Sequence, residues 1–340
     1  MTDLPILPTT VVGSHAKPGW WHTCKDLHAA GTWGPYDVEE LLNDAVDIAI
    51  LDQERAGVDI ISDGESRRLD GYVDSYYRII EGIRARPVAR QAGPWGYDQQ
   101  TRYEATGKIQ APDGLGIVQE LKYLMAHTRK PTKVTCAGPL TFGSRIHPNN
   151  VYQSVVDIAE EFAQVINTEL KGLVDAGARF IQLDEPARGN VTGAEMARLF
   201  NLATEGVEAK LAFHICFGNR FGRARFKRSY SDYFPGALEA RADQFVLEFA
   251  SREMAEIDKW KEWNDGRELG VGIVDVKSFY PETPEDVAAR LRTVLQYADA
   301  EKVYVNPDCG FGWSPRNMAV SKLRAMVAGT KVVRAELEKG

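Results

Sequence analysis

The chain has 340 residues, of which 44% are hydrophobic and 26% charged, so it can bury a large core without disulfide staples. Its formal net charge of −7 argues against nucleic-acid binding, which needs a basic surface. No apolar run approaches the roughly 20 residues that span a bilayer, and Met1 to Thr10 lack the features of a signal peptide. We therefore expect a cytoplasmic enzyme with neither a nucleic-acid nor a membrane partner.

Short β-rich segments alternate with segments of helical period. The predicted strands are 9–13, 58–63, 133–137, 179–184, 210–216, 244–248, 270–276 and 302–306. The clearest predicted helices are 44–55, 114–127, 155–174 and 285–297, the last with Thr283 as a cap and Pro284 in its first turn. Eight β/α alternations without a glycine-rich nucleotide turn favour an α/β fold of the (β/α)₈ TIM-barrel type, with residues 1–340 as a single domain.

The spacing of the strands is uneven in one place. About 70 residues separate the second and third predicted strands. Within this stretch, residues 84–110 alternate polar and apolar side chains around Gly93-Pro94 and Gly96. This pattern predicts a β-hairpin insertion at about residues 84–112.

Polar clusters occupy the last residues of seven of the eight predicted strands or come directly after them. They are Gly13-Ser14-His15, Asp63-Gly64-Glu65, Asp184-Glu185-Pro186, His214-Ile215-Cys216, Glu248, Asp275-Val276-Lys277-Ser278 and Asn306-Pro307-Asp308-Cys309. Because a barrel keeps its active site at the carboxyl ends of its strands, these clusters predict the site.

Four of these residues form a candidate metal site. His214 and Cys216 are two apart on a strand, so they point to the same face. Cys309 follows the last strand in a proline- and glycine-containing turn, and Glu248 ends an apolar run where a lone carboxylate would need a partner. Two thiolates, an imidazole and a carboxylate suit tetrahedral zinc. The spacing alone leaves open that these residues only pack in the core.

At these residues the sequence resembles the catalytic half of the cobalamin-independent methionine synthases. The matching stretches are Thr9-Thr10-Val11-Val12-Gly13-Ser14, Ile61-Ser62-Asp63-Gly64-Glu65, Gln182-Leu183-Asp184-Glu185-Pro186-Ala187, His214-Ile215-Cys216, Val246-Leu247-Glu248 and Val305-Asn306-Pro307-Asp308-Cys309-Gly310. They occur in the family's order between about residues 9 and 330, and the His-x-Cys and Asn-Pro-Asp-Cys-Gly pieces together are the most specific.

The resemblance implies a TIM barrel with Zn²⁺ as cofactor. It implies zinc ligands at His214, Cys216, Glu248 and Cys309. It also implies an amino-acid thiol, expected to be homocysteine, bound near Gly13, Ser14, Glu65 and Asp184. The two carboxylates could pair with its ammonium group and the backbone near Gly13 and Ser14 could hold its carboxylate. A structural ion pair is the alternative role for Glu65 and Asp184.

The sequence departs from the family pattern where the methyl donor would bind. Full-length synthases carry a second, N-terminal barrel that has no counterpart in this sequence. The family's tryptophan that packs on folate aligns with Arg145, a candidate substrate-binding residue, and the family's proton-donating histidine aligns with Lys277. Folate is therefore a doubtful donor, and the donor's identity stays open.

Three functional hypotheses follow. The first is a zinc-dependent methyltransferase that activates a thiol for attack on a methyl donor, as in methionine biosynthesis, with Asp184 and Lys277 as candidate catalytic residues. Lys277 could protonate the leaving group if burial lowered its pKa, or it could simply pair with Asp275. The second is a zinc-dependent thiol alkyltransferase or lyase acting on another electrophile. The third is a non-catalytic zinc- or thiol-binding protein.

Other features allow more than one interpretation. Residues 220–228 contain five basic residues and two phenylalanines, which could bind an anionic group or form a solvated loop or a subunit contact. The cluster of His15, His22, Cys24 and His28 beside Trp20 and Trp21 suggests a lid over the substrate pocket more than a second metal site. Cys136, within a strand, is expected in the core, the four widely spaced cysteines do not indicate a disulfide framework, and the oligomeric state is open.

Overall fold

The computed structural model describes residues 4–86, 101–186, 191–219, 222–224 and 227–339. The strands are β1 (Glu81–Arg86), β2 (Arg102–Gln110), β3 (Val134–Ala137), β4 (Ile146–His147), β5 (Phe180–Glu185), β6 (Lys210–Ile215), β7 (Gln244–Glu248), β8 (Glu268–Val274) and β9 (Val303–Pro307). The helices are α1 (Gly19–Ala29), α2 (Pro35–Ala56), α3 (Ile117–His127), α4 (Pro139–Gly143), α5 (Val155–Asp175), α6 (Gly193–Ala203), α7 (Trp260–Trp263), α8 (Pro284–Val294) and α9 (Arg316–Leu337).

A six-stranded parallel sheet forms the centre of the protein. Its order is β3-β5-β6-β7-β8-β9, and every neighbouring pair is parallel. Nearly all residues of these strands are buried, as expected where helices cover a parallel sheet. Because the strands are parallel, all their carboxyl ends lie at one edge, which is where the sequence predicted the functional residues. The mixed α/β fold is confirmed.

The first two predicted strands are much shorter than expected. Single parallel bridges join Thr9 to Val305, Thr10 to Ile60 and Ile61 to Thr132. Predicting full strands at 9–13 and 58–63 was therefore wrong. Side chains share in the hydrogen bonding here: the backbone N–H of Thr9 donates to Asp59 Oδ2 at 2.8 Å, and that of Asp59 is shared between Oγ1 and the carbonyl of Thr9 at 3.0 and 3.1 Å.

Two apolar layers cover the faces of the sheet. The large one fills the space between the strands and the helices, and includes Phe162, Phe213 and Leu291. The small one consists of Val12, Ile60, Phe180, Ala212, Val246 and Tyr304. It joins the two bridge-forming segments to the central strands, so these segments pack against the sheet as well as pairing with it.

The predicted helices are present, with shifted ends. Helix α2 begins at Pro35 rather than at residue 44, because Pro35 suits the first turn and the Asp37 carboxylate accepts from the backbone N–H of Gly34 at 2.8 Å, which the apolar period does not reveal. It ends at Gly57, whose φ of 86° only glycine adopts at little cost. Helices α5 and α8 begin after the capping residues Ser154 and Thr283, as the sequence suggested for the second.

A second, three-stranded sheet lies in the region of the predicted hairpin. Strands β1 and β2 are antiparallel, and β2 also pairs in parallel with β4. Residues 87–100, which contain the predicted Gly93-Pro94 turn, lie outside the described residues. Within the described chain, no helix is both long and apolar enough to cross a membrane.

Candidate metal and substrate site

Three of the four predicted metal ligands come together at the carboxyl edge of the main sheet. His214 lies near the end of β6, Cys216 follows that strand, and Cys309 follows β9. One potential ligand atom from each lies within 4.8 Å of the other two, and the Sγ atoms of Cys216 and Cys309 are 3.7 Å apart. None of the four cysteines, all of them described, forms a disulfide. These distances suit ligands that converge on one ion.

The imidazole of His214 is oriented by its neighbour. Its Nδ1 lies 2.8 Å from Oδ1 of Asp184, and its buried Nε2 has no hydrogen-bond partner among the described residues. Burial lowers the pKa of His214, but Cys216 and Asp184 outweigh it and raise that pKa to about 10. A buried nitrogen without a partner beside two thiols is a donor set that fits a metal such as zinc.

Glu248, the fourth predicted ligand, is fully buried at the end of β7. Its Oε2 accepts hydrogen bonds from Lys277 Nζ at 2.8 Å and from the backbone N–H of Phe217 at 3.3 Å. Phe217 directly follows Cys216, so this carboxylate lies next to the cluster although it is not one of the three converging residues. Its role as a ligand stays a prediction.

The pKa of Lys277 is shifted by two opposing effects. Burial lowers its pKa, but the negative charge of Glu248, together with Cys309, Asp308 and Cys216, raises it above the ordinary lysine value. The condition under which the sequence made Lys277 a proton donor, a pKa lowered by burial, is therefore not met, because a fully buried carboxylate pairs with the ammonium group. The Lys277 ammonium donates to Glu248 and not to Asp275, whose Oδ1 accepts only from the backbone N–H of Lys277.

Asp308 fixes the loop that carries Cys309. Its Oδ1 accepts from the backbone N–H groups of Phe249 and Ala250 at 3.0 and 2.9 Å, and its Oδ2 accepts from that of Ser251 at 2.6 Å. These three residues directly follow Glu248, so one buried carboxylate ties the loop after β9 to the loop after β7. The sequence placed Asp308 in a motif but gave it no role.

A small cavity of about 110 Å³ adjoins the cluster. The predicted substrate-binding residues Gly13, Ser14, Glu65 and Asp184 line it, together with His214 and Cys309. The structure therefore brings the two predicted groups of residues to one space. The cavity is small, so any group that enters it would lie close to the carboxylates of Glu65 and Asp184.

Glu65 is held from three sides. Its carboxylate forms an ion pair with Arg68 at 2.7 Å, accepts from Thr135 Oγ1 at 2.8 Å and accepts from the Ser14 hydroxyl. Glu65 itself has a φ of 51°, unusual for a residue with a side chain. The ion pair foreseen as an alternative role for Glu65 thus exists, and it lies in the wall of the cavity.

A larger cavity of about 430 Å³ shares part of its wall with the small one. Both are lined by Tyr72, Pro186, Asn219 and Trp313; Pro186 belongs to a predicted polar cluster, whereas the other three were not predicted as site residues. Tyr72, Asn219 and Trp313 lie in loops that are far apart in the sequence, so no local pattern marked them as site residues. Arg145 lines the larger cavity and pairs there with Asp74.

The other candidate residues lie away from both cavities. His15 is buried against Asp52, with Nε2 to Oδ2 at 3.0 Å. Trp21 packs with Leu41, Ala45 and Leu69. Among the described residues, the predicted lid cluster contributes nothing to the walls of either cavity, because helix α1 carries it onto α2. Cys136 is in the core, as expected.

Only part of the basic segment 220–228 can be placed. Residues 220, 221, 225 and 226 lie outside the described residues. Lys227 pairs with Asp232, and Arg228 donates to the carbonyl of Ser251. An anion-binding role for this segment stays a prediction.

Fold and site together define the class of protein. It is an α/β protein with a parallel sheet, whose carboxyl edge carries a buried imidazole and two thiols able to hold a metal, next to two connected cavities. Such a site suits an enzyme that binds a small molecule at the ends of parallel strands.

Comparison with known proteins identifies the family. Residues 7–332 match the family described as "Cobalamin-independent synthase, Catalytic domain". The chain is 36% identical to a methionine synthase of Sulfurisphaera tokodaii over 342 residues, covering 99% of this chain and 96% of that protein. It is also 36% identical to a methionine synthase of Saccharolobus solfataricus over 345 residues, covering 100% and 98%.

Solved structures agree with this assignment. A B12-independent methionine synthase from Shewanella sp. W3-18-1, in complex with selenomethionine, has a TM-score of 0.84 at 27% identity, covering 98% of this chain and 100% of that one. A putative B12-independent methionine synthase from Listeria monocytogenes shares the fold, with a TM-score of 0.68 at 19% identity over 97% and 99%. The chain belongs to the cobalamin-independent methionine synthase family, a family of methyltransferases.

Proposed function

We propose that this protein is a zinc-dependent methyltransferase that makes methionine from homocysteine and a methyl donor. The observation that carries the proposal is the convergence of ligand atoms from His214, Cys216 and Cys309 within 4.8 Å, next to a cavity lined by Glu65 and Asp184. Full-length similarity to methionine synthases supports the substrate, and it favours a catalytic role over a non-catalytic zinc- or thiol-binding role.

His214, Cys216 and Cys309 would hold the zinc, with Glu248 as the fourth ligand. A zinc ion bound in this way lowers the pKa of an added thiol and keeps its sulfur nucleophilic near neutral pH. Asp184 supports this role because it accepts from Nδ1 of His214 and thereby presents Nε2. His214 and Cys216 are buried and Cys309 is half-buried, which limits competition from water at the sulfur position.

The amino-acid part of homocysteine would occupy the small cavity. Glu65 and Asp184 would face its ammonium group, and the backbone at Gly13 and Ser14 would face its carboxylate. Cys309 lines the same cavity, which supports a pose in which the thiol end of homocysteine would lie at the metal ligands. The related Shewanella protein was solved with selenomethionine, an analogue of the product.

The methyl donor would enter through the larger cavity, whose shared wall at Tyr72 and Trp313 adjoins the thiol site. Arg145 pairs with Asp74 there, so a flat ring system would have to displace or stack on an ion pair. Folate stays a candidate donor. The ion pair of Arg145 and Asp74 favours a second candidate function, in which the thiol attacks an alkyl donor that is not a methyl compound. We further propose Lys277 as the proton donor to the leaving group: it is protonated, and because its raised pKa makes it a weak acid, it would release the proton only when its pairing with Glu248 is weakened.

We also propose that the chain is one closed (β/α)₈ barrel with a hairpin insertion. The bridges support closure, since Thr9 joins β9 at one edge and Ile61 reaches Thr132, next to β3, at the other. The antiparallel pair of β1 and β2 supports the insertion. Four cysteines without a disulfide are consistent with a cytoplasmic location, which stays a prediction.

The proposed function is tested by zinc K-edge X-ray absorption of the purified protein, with and without homocysteine. We expect bound zinc with two protein sulfur ligands, and one further sulfur ligand when homocysteine is present. The variant Cys24→Ser, outside the cluster, should give the same spectra as the wild type.

Two outcomes would contradict the proposal. Zinc whose coordination does not respond to homocysteine would mean that the acceptor is another thiol or that the metal is structural. A protein that binds no zinc after reconstitution would rule out the metal centre itself.

A further inference from the structure

Glu120 breaks the pattern of helix α3. The buried face of this helix consists of Ile117, Leu121 and Leu124, and Glu120 lies on the same face with only 8% of its surface exposed. An ionised carboxylate at such a core position is costly unless it is paired. Departures of this kind are expected where the residue serves a function.

The partner of Glu120 is Arg68, which is 3% exposed. One guanidinium nitrogen of Arg68 lies 2.7 Å from Glu65 Oε1, and another lies 3.3 Å from Glu120 Oε2 and donates to the carbonyl of Thr135 at 2.8 Å. The rings of Tyr72 and Tyr76 cover the guanidinium group. Arg68 therefore connects the cavity-lining Glu65 to a carboxylate that does not line the cavity.

The charges in this region do not cancel. The carboxylates of Asp63, Glu65 and Glu120 face two cations, Arg68 and Lys17, which gives one excess negative charge when all are ionised. Lys17 donates to the carbonyl of Gly64 and to Ser66 Oγ, not to a carboxylate. Burial and the negative charge of Asp184 raise the pKa of Glu65, whereas Arg68 and the hydrogen bonds from Ser14 and Thr135 favour its ionised form; Asp184 is itself paired with His214.

The surplus charge is reflected in the protonation of Glu120. Burial, together with the nearby Asp63 and Glu65, raises its pKa to about 7 although Arg68 opposes this. The hydroxyls of Tyr72 and Tyr76 stay neutral, because burial raises their pKa values well above the ordinary value. A further cation near Glu65 would therefore stabilise the ionised form of Glu120.

We propose that Glu120 is a positioning residue that determines specificity for an ammonium group: through Arg68 it leaves Glu65 with uncompensated negative charge, which the ammonium of an amino-acid substrate offsets. With Glu120 neutral, Arg68 would cancel the charge of Glu65. The site would then bind a thiol without an amino group about as tightly as one that has an ammonium group. The inference rests on the proposed function, because it concerns the same cavity.

The test compares two ligands that differ only in the ammonium group. Methionine and 3-(methylthio)propanoate are titrated by calorimetry into the purified protein, whose metal content is measured. Methionine is preferred to homocysteine because it has no thiol proton to release. The variants are Glu120→Gln, which removes the charge, and Glu120→Asp, which retains it.

We expect the preference for methionine over the propanoate to fall about tenfold or more in Glu120→Gln. The variant removes the buried negative charge of Glu120, so that Arg68 offsets the charge of Glu65 in place of the ligand's ammonium group. Affinity for the propanoate should change little, and Glu120→Asp should keep most of the preference. The matched control is Glu169→Gln, another buried carboxylate, which only accepts from the backbone N–H groups of Leu115 and Val118. It should leave the preference unchanged.

A second measurement follows proton release in the wild-type protein and compares it with that in Glu120→Gln. Methionine binding near pH 7, measured in two buffers of different ionisation enthalpy, should release a fraction of a proton, because the ammonium group lowers the pKa of Glu120. That release should disappear in Glu120→Gln.

The outcomes separate the two proposals. If the wild-type protein binds neither methionine nor homocysteine, the proposed function fails. If methionine binds without proton release, or if Glu120→Gln weakens both ligands by the same factor, then the pair of Arg68 and Glu120 is only structural and this inference is overturned.

Discussion

His214 and Asp184 face each other across two neighbouring strands. They are paired in register on β6 and β5, and Nδ1 of His214 lies 2.8 Å from Oδ1 of Asp184. A second oxygen of Asp184 accepts from the hydroxyl of Tyr72 at 3.1 Å. The strand pairing therefore fixes the orientation of the imidazole, and with it the nitrogen that is available to a metal.

The first prediction concerns this pair. Asp184→Asn should weaken zinc binding by about 10- to 100-fold, because an amide no longer holds the imidazole as a charged acceptor does. Competition with a chromophoric chelator measures the affinity. Asp26→Asn, on the exposed side of α1, is the control. Unchanged zinc affinity in Asp184→Asn would mean that Asp184 acts only on the substrate.

The second prediction concerns the thiols. Cys309→Ser should lose most bound zinc, because a serine hydroxyl is a poor replacement for a thiolate at a soft metal site. Metal analysis of the dialysed protein gives the zinc stoichiometry, and Cys24→Ser should retain it. A Cys309→Ser protein with full zinc content would exclude Cys309 from the ligand set.

The third prediction separates two roles of Lys277, which is 2.8 Å from Glu248. Lys277→Gln should lower kcat about 100-fold or more while zinc content and KM for homocysteine change little, as expected when a general acid is removed. Lys259→Gln, on the surface, is the control. If zinc content falls together with kcat, Lys277 acts by holding Glu248 rather than by supplying a proton.

The fourth prediction is a dependence of stability on pH. Although burial raises the pKa of Asp52, hydrogen bonds from His15 and Arg316 lower it to about 2. A carboxylate with a depressed pKa stabilises the fold above its unfolded value of about 3.9, and this stabilisation is lost as the pH falls towards 2.

The variant Asp52→Asn should therefore lower the unfolding free energy by about 1 kcal/mol at pH 7, a discounted figure because Arg316 is partly exposed. Denaturant titrations between pH 3 and 7 should show the difference narrowing below about pH 4. Asp26→Asn should show no such trend. A difference that stays constant with pH would mean that packing, not charge, accounts for the effect.

The fifth prediction concerns the packing of α8 on α9. Alanine is normally favoured over glycine inside a helix, but a Cβ on Gly329 would lie 2.4 Å from the carbonyl oxygen of Pro284. Gly329→Ala should therefore destabilise the protein by about 1–3 kcal/mol. Gly19→Ala, where a Cβ would meet nothing within 4 Å, is the control. Thermal unfolding measures both, and a stabilised Gly329→Ala would show that the two helices can separate.

The sequence by itself determined the features that depend on local chemistry. Alternation along a strand placed His214 and Cys216 on one face, and strand order placed Cys309 at the same edge. Local capping by Thr283 and Pro284 marked the start of α8. These properties follow from residues close together in the chain, so a pattern is enough to predict them.

The tertiary structure decided what depends on long-range contacts. Glu248 pairs with Lys277, Asp308 binds the backbone after β7, and Arg68 joins Glu65 to Glu120. The raised pKa of Lys277 could not be predicted from the sequence, because its partner Glu248 lies 29 positions away. Burial and charge at each of these side chains come from elements distant in sequence, and a local pattern carries no information on which of them meet.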